Sequence, residues 1–373
     1  MFRLSNLIKS TLQEQKSRSL DGSIIIWNMT NRCNLLCHHC YSKASANEKE
    51  SLSLEDILKT IPKLKIANIN FVIFSGGEPL LRKDIFEIAQ CMKDNKIMTY
   101  LSTNGTYITE KNAQKIIDTF NYIGISIDGI GEVHDYFRGQ KGSYDKSIEA
   151  IKTIQKLGGN AGIRFTITKE TESSFYDIFT LAEELNVNKI YISHLVYSGR
   201  GKENLEIDIS KEKRKEYVNF MINKAFEYYE NGKDIDIVTG NMEMDAIILL
   251  KEFEKKYPDF ANSLKNRLKS WGGNSAGKRL GNMDWNGFVK PDPFFPMTIG
   301  NYLEKDFDKI WLDDNNELLK KLREFPRNIK GKCSSCKYID ICNGGSRSRA
   351  YAISGDLWDE DPSCYLTLEE IKG

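Results

Sequence analysis

The chain has 373 residues, 40% of them hydrophobic and 28% charged, with 53 Lys and Arg against 52 Asp and Glu. That length suits two domains, or one large barrel with an extension, and the near-zero net charge excludes a whole-chain pull toward nucleic acid. The charged fraction and only eight prolines exclude a disordered chain, and apolar runs such as 24–27 and 246–250 are far too short to cross a bilayer.

At the N-terminus Phe2, Leu4, Leu7, Ile8 and Leu12 recur at roughly helical spacing, which predicts a docking helix within an N-terminal extension, residues 1–22. The segment has neither an unbroken apolar stretch nor a small-residue cleavage site, so it is not expected to be a secretory signal. A cytoplasmic protein follows, and in a reducing compartment eight cysteines are expected as ligands or core residues rather than disulfides.

From Ser23 onward short β-branched runs alternate with amphipathic helical segments. Strands are expected at 23–29, 70–75, 98–103, 122–127, 163–168 and 189–195, with helices at 54–66, 84–94, 110–120, 144–157 and 175–185. The strand runs are continuously apolar, as parallel strands buried on both faces are. Ser53 and Asp56 form a capping pair at the start of the first of these helices. Six βα units in series predict an α/β fold, a partial (βα)6 TIM-like barrel over residues 23–200, with reactive groups at the C-terminal strand ends. An open doubly wound sheet satisfies the same pattern. Residues 201–270 read as a charge-rich helical linker region. Residues 271–373 read as a loop-rich, cluster-binding C-terminal domain with a hairpin around Asp284 and Gly287. A segment so poor in regular structure needs a staple, and a metal site is the natural one.

Seven of the eight cysteines fall into two groups. Cys33, Cys37 and Cys40 directly follow the first strand. Three thiolates on so short a loop can hold one face of a cubane iron–sulfur cluster and leave the fourth iron without a protein ligand. A bare iron can bind a substrate or cofactor. Zinc with His38 or His39 as fourth ligand fits the same spacing. Cys333, Cys336, Cys342 and Cys364 offer four thiolates, enough to close a site, either zinc or a fully ligated cluster. Cys91 stands alone in a helical segment and reads as a small buried hydrophobe.

The Cys33–Cys37–Cys40 loop resembles the cluster motif of the radical S-adenosylmethionine (SAM) family, and the resemblance runs over about 23–195. It implies that the open iron chelates the amino and carboxylate groups of SAM. An electron from the cluster then splits SAM into methionine and a 5′-deoxyadenosyl radical. Gly76-Gly77-Glu78-Pro79 is similar to the family's SAM-amino loop, which implies close backbone approach at the glycines and an ammonium acceptor at Glu78. Ser102 and Asn104, then Ser126 and Asp128, resemble the ribose-side loops, and Arg164 matches a position that faces the SAM carboxylate. His134-Asp135-x-x-Arg138-Gly139 is expected to cap the following helix and order the pocket.

The second cysteine group resembles the SPASM extension of that family, whose full form holds two auxiliary clusters. Here Asn274, Asp292 and Ser346 stand where cysteines of one auxiliary cluster are expected, while the four cysteines kept are those that close the other. The resemblance thus implies two [4Fe-4S] clusters, one SAM-binding and one auxiliary. Segments 27–33, 193–201, 290–293 and 343–351 resemble the tetrapyrrole branch of the family. That implies removal of acetate or propionate side chains from the iron tetrapyrrole didecarboxysiroheme, with an external low-potential electron donor of flavodoxin or ferredoxin type. Arg200, Arg347 and Arg349 are then expected to pair with substrate carboxylates, and His194 to ligate the tetrapyrrole iron or donate a proton. Two other readings compete. A peptide-maturing radical enzyme usually carries an N-terminal peptide-clamping domain, for which the 22 residues before the first strand are too few. A non-catalytic iron–sulfur carrier or zinc scaffold has no use for nucleotide-binding loops.

Overall fold

The continuously apolar runs become the parallel centre of one sheet. The computed structural model describes residues 1–15 and 22–372. Its strands are β1 (Phe2–Arg3), β2 (Ser23–Thr30), β3 (Ile69–Gly76), β4 (Met98–Thr103), β5 (Tyr122–Ser126), β6 (Ala161–Ile167), β7 (Lys189–His194), β8 (Asp236–Gly240), β9 (Leu280–Met283), β10 (Phe288–Lys290) and β11 (Gly300–Asn301). They order as β1-β8-β7-β6-β5-β4-β3-β2-β9-β10-β11. From β2 to β8 each strand runs parallel to the next. The sheet does not close on itself, so the architecture is a partial α/β barrel.

Ile25, Trp27, Val72, Phe74, Ile123, Ile125, Ile163, Phe165, Ile190 and Ile192 are buried along these strands. Each such side chain stabilises the fold by about 1.5–3 kcal/mol relative to an exposed one. Helices Leu54–Ile66, Ile85–Asp94, Ala113–Thr119, Ser143–Lys156 and Asp177–Glu184 lie between the strands. At the first of these the Ser53 hydroxyl accepts from the Asp56 backbone N–H at 3.1 Å and donates to the Asp56 carboxylate at 2.5 Å, the expected cap.

Three features differ from the sequence expectation. The region read as a helical linker contains β8, a seventh parallel strand between helices Lys211–Glu230 and Asp245–Lys256. Helix Leu4–Leu12 is present, and the chain before it pairs antiparallel with β8, Phe2 opposite Thr239. The hairpin of the C-terminal region, β9–β10, is joined to the barrel itself, because β9 runs parallel to β2 with Ile24 opposite Leu280. The C-terminal ends of the parallel strands share one rim, where every cysteine loop and glycine loop of the N-terminal half emerges. No described helix is long and apolar enough to cross a membrane.

Candidate active site

Three neighbouring segments clasp the loop that follows β2. From the β3 loop, Gly77 N–H donates to Thr30 O and Glu78 N–H to Arg32 O, both at 2.8 Å. Helix Glu132–Arg138 offers two carbonyls, with Leu36 N–H donating to Arg138 O at 3.2 Å and His38 N–H to Phe137 O at 3.0 Å. After β7, Arg200 donates to Cys37 O at 2.7 Å and to Ala44 O at 3.2 Å, and the Asn204 amide donates to His38 O at 2.9 Å. Glycine is required at two of these contacts. A Cβ on Gly77 would lie 2.0 Å from Arg32 O, and one on Gly199, at φ +57°, would lie 2.4 Å from Cys40 O.

Within this clasp Cys33 and Cys37 are buried and Cys40 is half-buried. Burial, then repulsion from the neighbouring thiols, pushes the Cys33 thiol up to about 12, and burial raises that of Cys37. Such thiols give up their protons only to a strong cation, which is what an iron–sulfur cluster provides. Hydrogen-bond donors are already aimed at the sulfurs. Leu35 N–H lies 3.4 Å from Cys33 Sγ, and Arg138 Nη1 lies 3.6 Å from Cys37 Sγ. This donor set fits a cluster.

The loops at the ends of β3 to β6 divide into fasteners and open groups. Glu78 is fully buried, and its carboxylate accepts from Thr103 Oγ1 (2.8 Å), Asn104 N–H (2.8 Å) and Leu80 N–H (3.1 Å). Burial raises its carboxyl pKa against the opposing pull of those donors. Asn104 donates to Asn34 Oδ1 at 3.0 Å and accepts from Thr106 N–H at 2.9 Å, tying the β4 loop to the cysteine loop. Gly76, at φ +119°, has no room for a Cβ against Thr30 O. By contrast the side chains of Ser102, Ser126 and Arg164 are part-exposed and make no hydrogen bond to described residues. The Arg164 guanidinium stacks 4.5 Å from the Tyr191 ring centroid. These three groups fit a ligand with hydroxyls and a carboxylate.

Five of the expected site residues have other partners. Asp128 is fully buried, ion-paired with Arg138 and accepting from Thr166 N–H at 2.6 Å, so it presents nothing to a ribose. His194 is 1% exposed and lies 3.4 Å from the Asp245 carboxylate, which also accepts from Tyr365 Oη at 2.8 Å. Burial lowers its pKa. Arg347 is fully buried and donates to the carbonyls of Leu357 and Asp359 at 2.8 and 2.6 Å. Arg349, also fully buried, makes a two-pronged pair with Asp361 (3.0 and 2.7 Å) and donates to Leu195 O at 3.2 Å. Arg200 grips the cysteine loop as described above. In this structure these guanidiniums are engaged by the protein's own backbone carbonyls and, for Arg349, by the Asp361 carboxylate.

Asp135 does cap the next helix, accepting from Ser143 Oγ and Tyr144 N–H at 2.9 and 2.8 Å. His39 stacks on Phe137 at 4.6 Å and is lowered to about 4 by burial. The sequence reading missed Glu243, beyond the unrecognised β8. Its carboxylate accepts from the Asn274 amide at 3.1 Å.

Cys333, Cys336, Cys342 and Cys364 line one cavity with Met244, Ile247 and other apolar groups. Lys332 Nζ fastens its rim by donating to Cys364 O and Leu366 O, each at 3.0 Å. Burial and the nearby Cys364 push the Cys333 thiol up to about 12, and Cys342 is raised well above the ordinary range by burial. Where the resemblance places further cysteines, hydrogen-bonded side chains stand instead. Asn274 accepts from Arg327 at 2.9 Å, Asp292 from Phe294 N–H at 2.8 Å, and Ser346 from Arg349 N–H at 3.3 Å.

Comparisons with known proteins agree with this geometry. The sequence profile described as the radical SAM superfamily matches residues 27–182. Pre-heme d1 synthase of Dinoroseobacter shibae is 36% identical, over 99% of this chain and 93% of that protein. Fe-coproporphyrin III synthase of Methanosarcina barkeri is 37% identical, over 93% of this chain and 89% of that protein. The solved structure of native anSMEcpe with bound AdoMet superposes with a TM-score of 0.69 at 19% identity, over 92% of this chain and 93% of that one, a likeness of fold. With the cysteine loop at the rim of a partial parallel barrel, and relatives this similar along nearly its whole length, the chain belongs to the radical SAM superfamily and is an enzyme that binds SAM and a [4Fe-4S] cluster.

Proposed function

We propose that this enzyme removes acetate or propionate side chains from an iron tetrapyrrole, didecarboxysiroheme, by radical chemistry begun on SAM. The observation that carries the reading is the match, across nearly the whole chain, to relatives named pre-heme d1 synthase and Fe-coproporphyrin III synthase. Cys33, Cys37 and Cys40 hold the SAM-binding cluster and leave one iron without a side-chain ligand. When bound, the cluster supplies the electron that splits SAM into methionine and a 5′-deoxyadenosyl radical.

The chain's own groups do the rest by placement. Glu78 and Asn104 fix the β3 and β4 loops against the cysteine loop. Ser102 and Ser126 offer hydroxyls to the sugar, and Arg164, oriented on Tyr191, pairs with the SAM carboxylate. Cys333, Cys336, Cys342 and Cys364 close the auxiliary [4Fe-4S] cluster. A cubane distributes its ligands over separate irons, which suits thiols spread around a cavity. An external low-potential donor of flavodoxin or ferredoxin type supplies electrons.

The test is anaerobic incubation of the reconstituted enzyme, about eight irons per chain, with SAM, dithionite and didecarboxysiroheme, read by mass spectrometry. Loss of acetate or of propionate supports the reading and selects the branch. An unchanged tetrapyrrole beside normal 5′-deoxyadenosine release would overturn the substrate assignment.

A further inference from the structure

Helix Glu132–Arg138 ends against the cysteine loop, its last two carbonyls accepting from His38 and Leu36 N–H groups. Gly139, at φ +69°, lets the chain turn away there, and the Arg138 side chain enters behind Cys37. One guanidinium nitrogen, Nη1, lies 3.6 Å from Cys37 Sγ; the other terminal nitrogen forms the ion pair with Asp128. Asp128 is held from three sides. Its carboxylate accepts from Thr166 N–H on β6, its own N–H donates to His134 Nδ1 at 3.0 Å, and His39 Nε2 lies 3.8 Å from the oxygen paired with Arg138. Both partners are buried, Arg138 at 8% exposure and Asp128 at 0%. The pair is therefore a fixed dipole whose positive end touches a thiol and whose negative end lies one group further back.

We infer that Arg138, oriented by Asp128, is a positioning residue that sets the reduction potential of the SAM-binding cluster. The inference rests on Cys37 being a ligand of that cluster. The cluster takes up one electron, from dithionite or a low-potential protein donor, and no bond or proton moves at Arg138. A fixed cation beside the thiolate stabilises the electron-rich reduced state more than the oxidised one, and in a buried site water screens it little. The carboxylate of Asp128 opposes that effect from a greater distance. The two side chains consequently act with opposite sign, which a merely structural role would not produce.

The experiment is a potentiometric titration of the anaerobic holoenzyme, followed through the electron paramagnetic resonance signal that changes on adding SAM. Arg138→Gln should make reduction at least tenfold harder, a fall of about 59 mV or more for a one-electron couple. Asp128→Asn should shift the couple upward, and Arg138→Lys should keep it near that of the unsubstituted enzyme. Shifts in the same direction for Arg138→Gln and Asp128→Asn, or no shift in either at full iron content, would overturn the inference. Should Arg138→Gln fail to load iron, Asp128→Asn decides, and an unmoved or lowered couple there counts against it. An unsubstituted enzyme with no SAM-responsive signal would instead refute the ligand assignment on which this rests.

Discussion

Arg349 shows how much a buried charge depends on its partner. Its guanidinium joins Asp361, three residues before Cys364, to the backbone after β7. Burial raises the Asp361 carboxyl, but the adjacent Arg349 outweighs it and the net shift is downward. Arg349→Met would leave that carboxylate buried without a counter-charge, at a cost of about 3–5 kcal/mol. Chemical denaturation of the two proteins should show this loss, and a difference below about 1 kcal/mol, typical of a surface pair, would contradict it. His134 makes a second residue-scale prediction. Burial lowers it from 6.5 to about 4, so the unfolded chain takes up a proton near pH 6.5 that the folded chain refuses until about pH 4. Its contribution is complete above pH 6.5 and is lost as pH falls toward 4, by about 1.4 kcal/mol per unit. Urea unfolding at pH 7.5 and 5.5 should find the unsubstituted protein about 1 kcal/mol more acid-sensitive than His134→Gln, a difference in which the shared carboxylates cancel. At this scale the two cysteine groups stand out in the sequence because thiols that share a ligand role are spaced closely along the chain. The roles of Arg200, Arg347 and Arg349 do not, since sequence shows a charge but not whether a backbone carbonyl or open water surrounds it.

Among elements, the six long apolar strands and the five helices between them could be read because continuous hydrophobic runs and capped amphipathic runs leave few other folded outcomes. β8 escaped because Asp236–Gly240 is five residues long, holds only Ile237 and Val238 as apolar side chains, and sits between charged helices. Nothing local marks such a strand; its pairing with β7 on one side and β1 on the other creates it. Val238→Pro would remove a backbone donor in the middle of that double pairing. A loss of about 1–3 kcal/mol is expected from the buried carbonyl left unpaired, measurable as a lowered unfolding midpoint. Unchanged stability would mean that β8 is not integral to the sheet. β9 was read as part of a separate hairpin for a related reason, because a parallel neighbour 256 residues away, Ile24 opposite Leu280, leaves no periodicity in the sequence.

For the whole molecule, one sheet carries both the SAM-binding rim and the start of the C-terminal region, so the two cysteine groups are held by a common frame rather than by a linker. Arg349 and the β2–β9 pairing are among the bonds that join them. The assignment of an open iron to the Cys33, Cys37 and Cys40 cluster underlies every proposed step from SAM. Its most direct test is 5′-deoxyadenosine released from SAM under dithionite by the anaerobically reconstituted enzyme and by its Cys37→Ala variant. Release is expected from the first and none from the second, which should keep about four irons at the auxiliary site; release by Cys37→Ala at an undiminished rate would contradict the open-iron assignment.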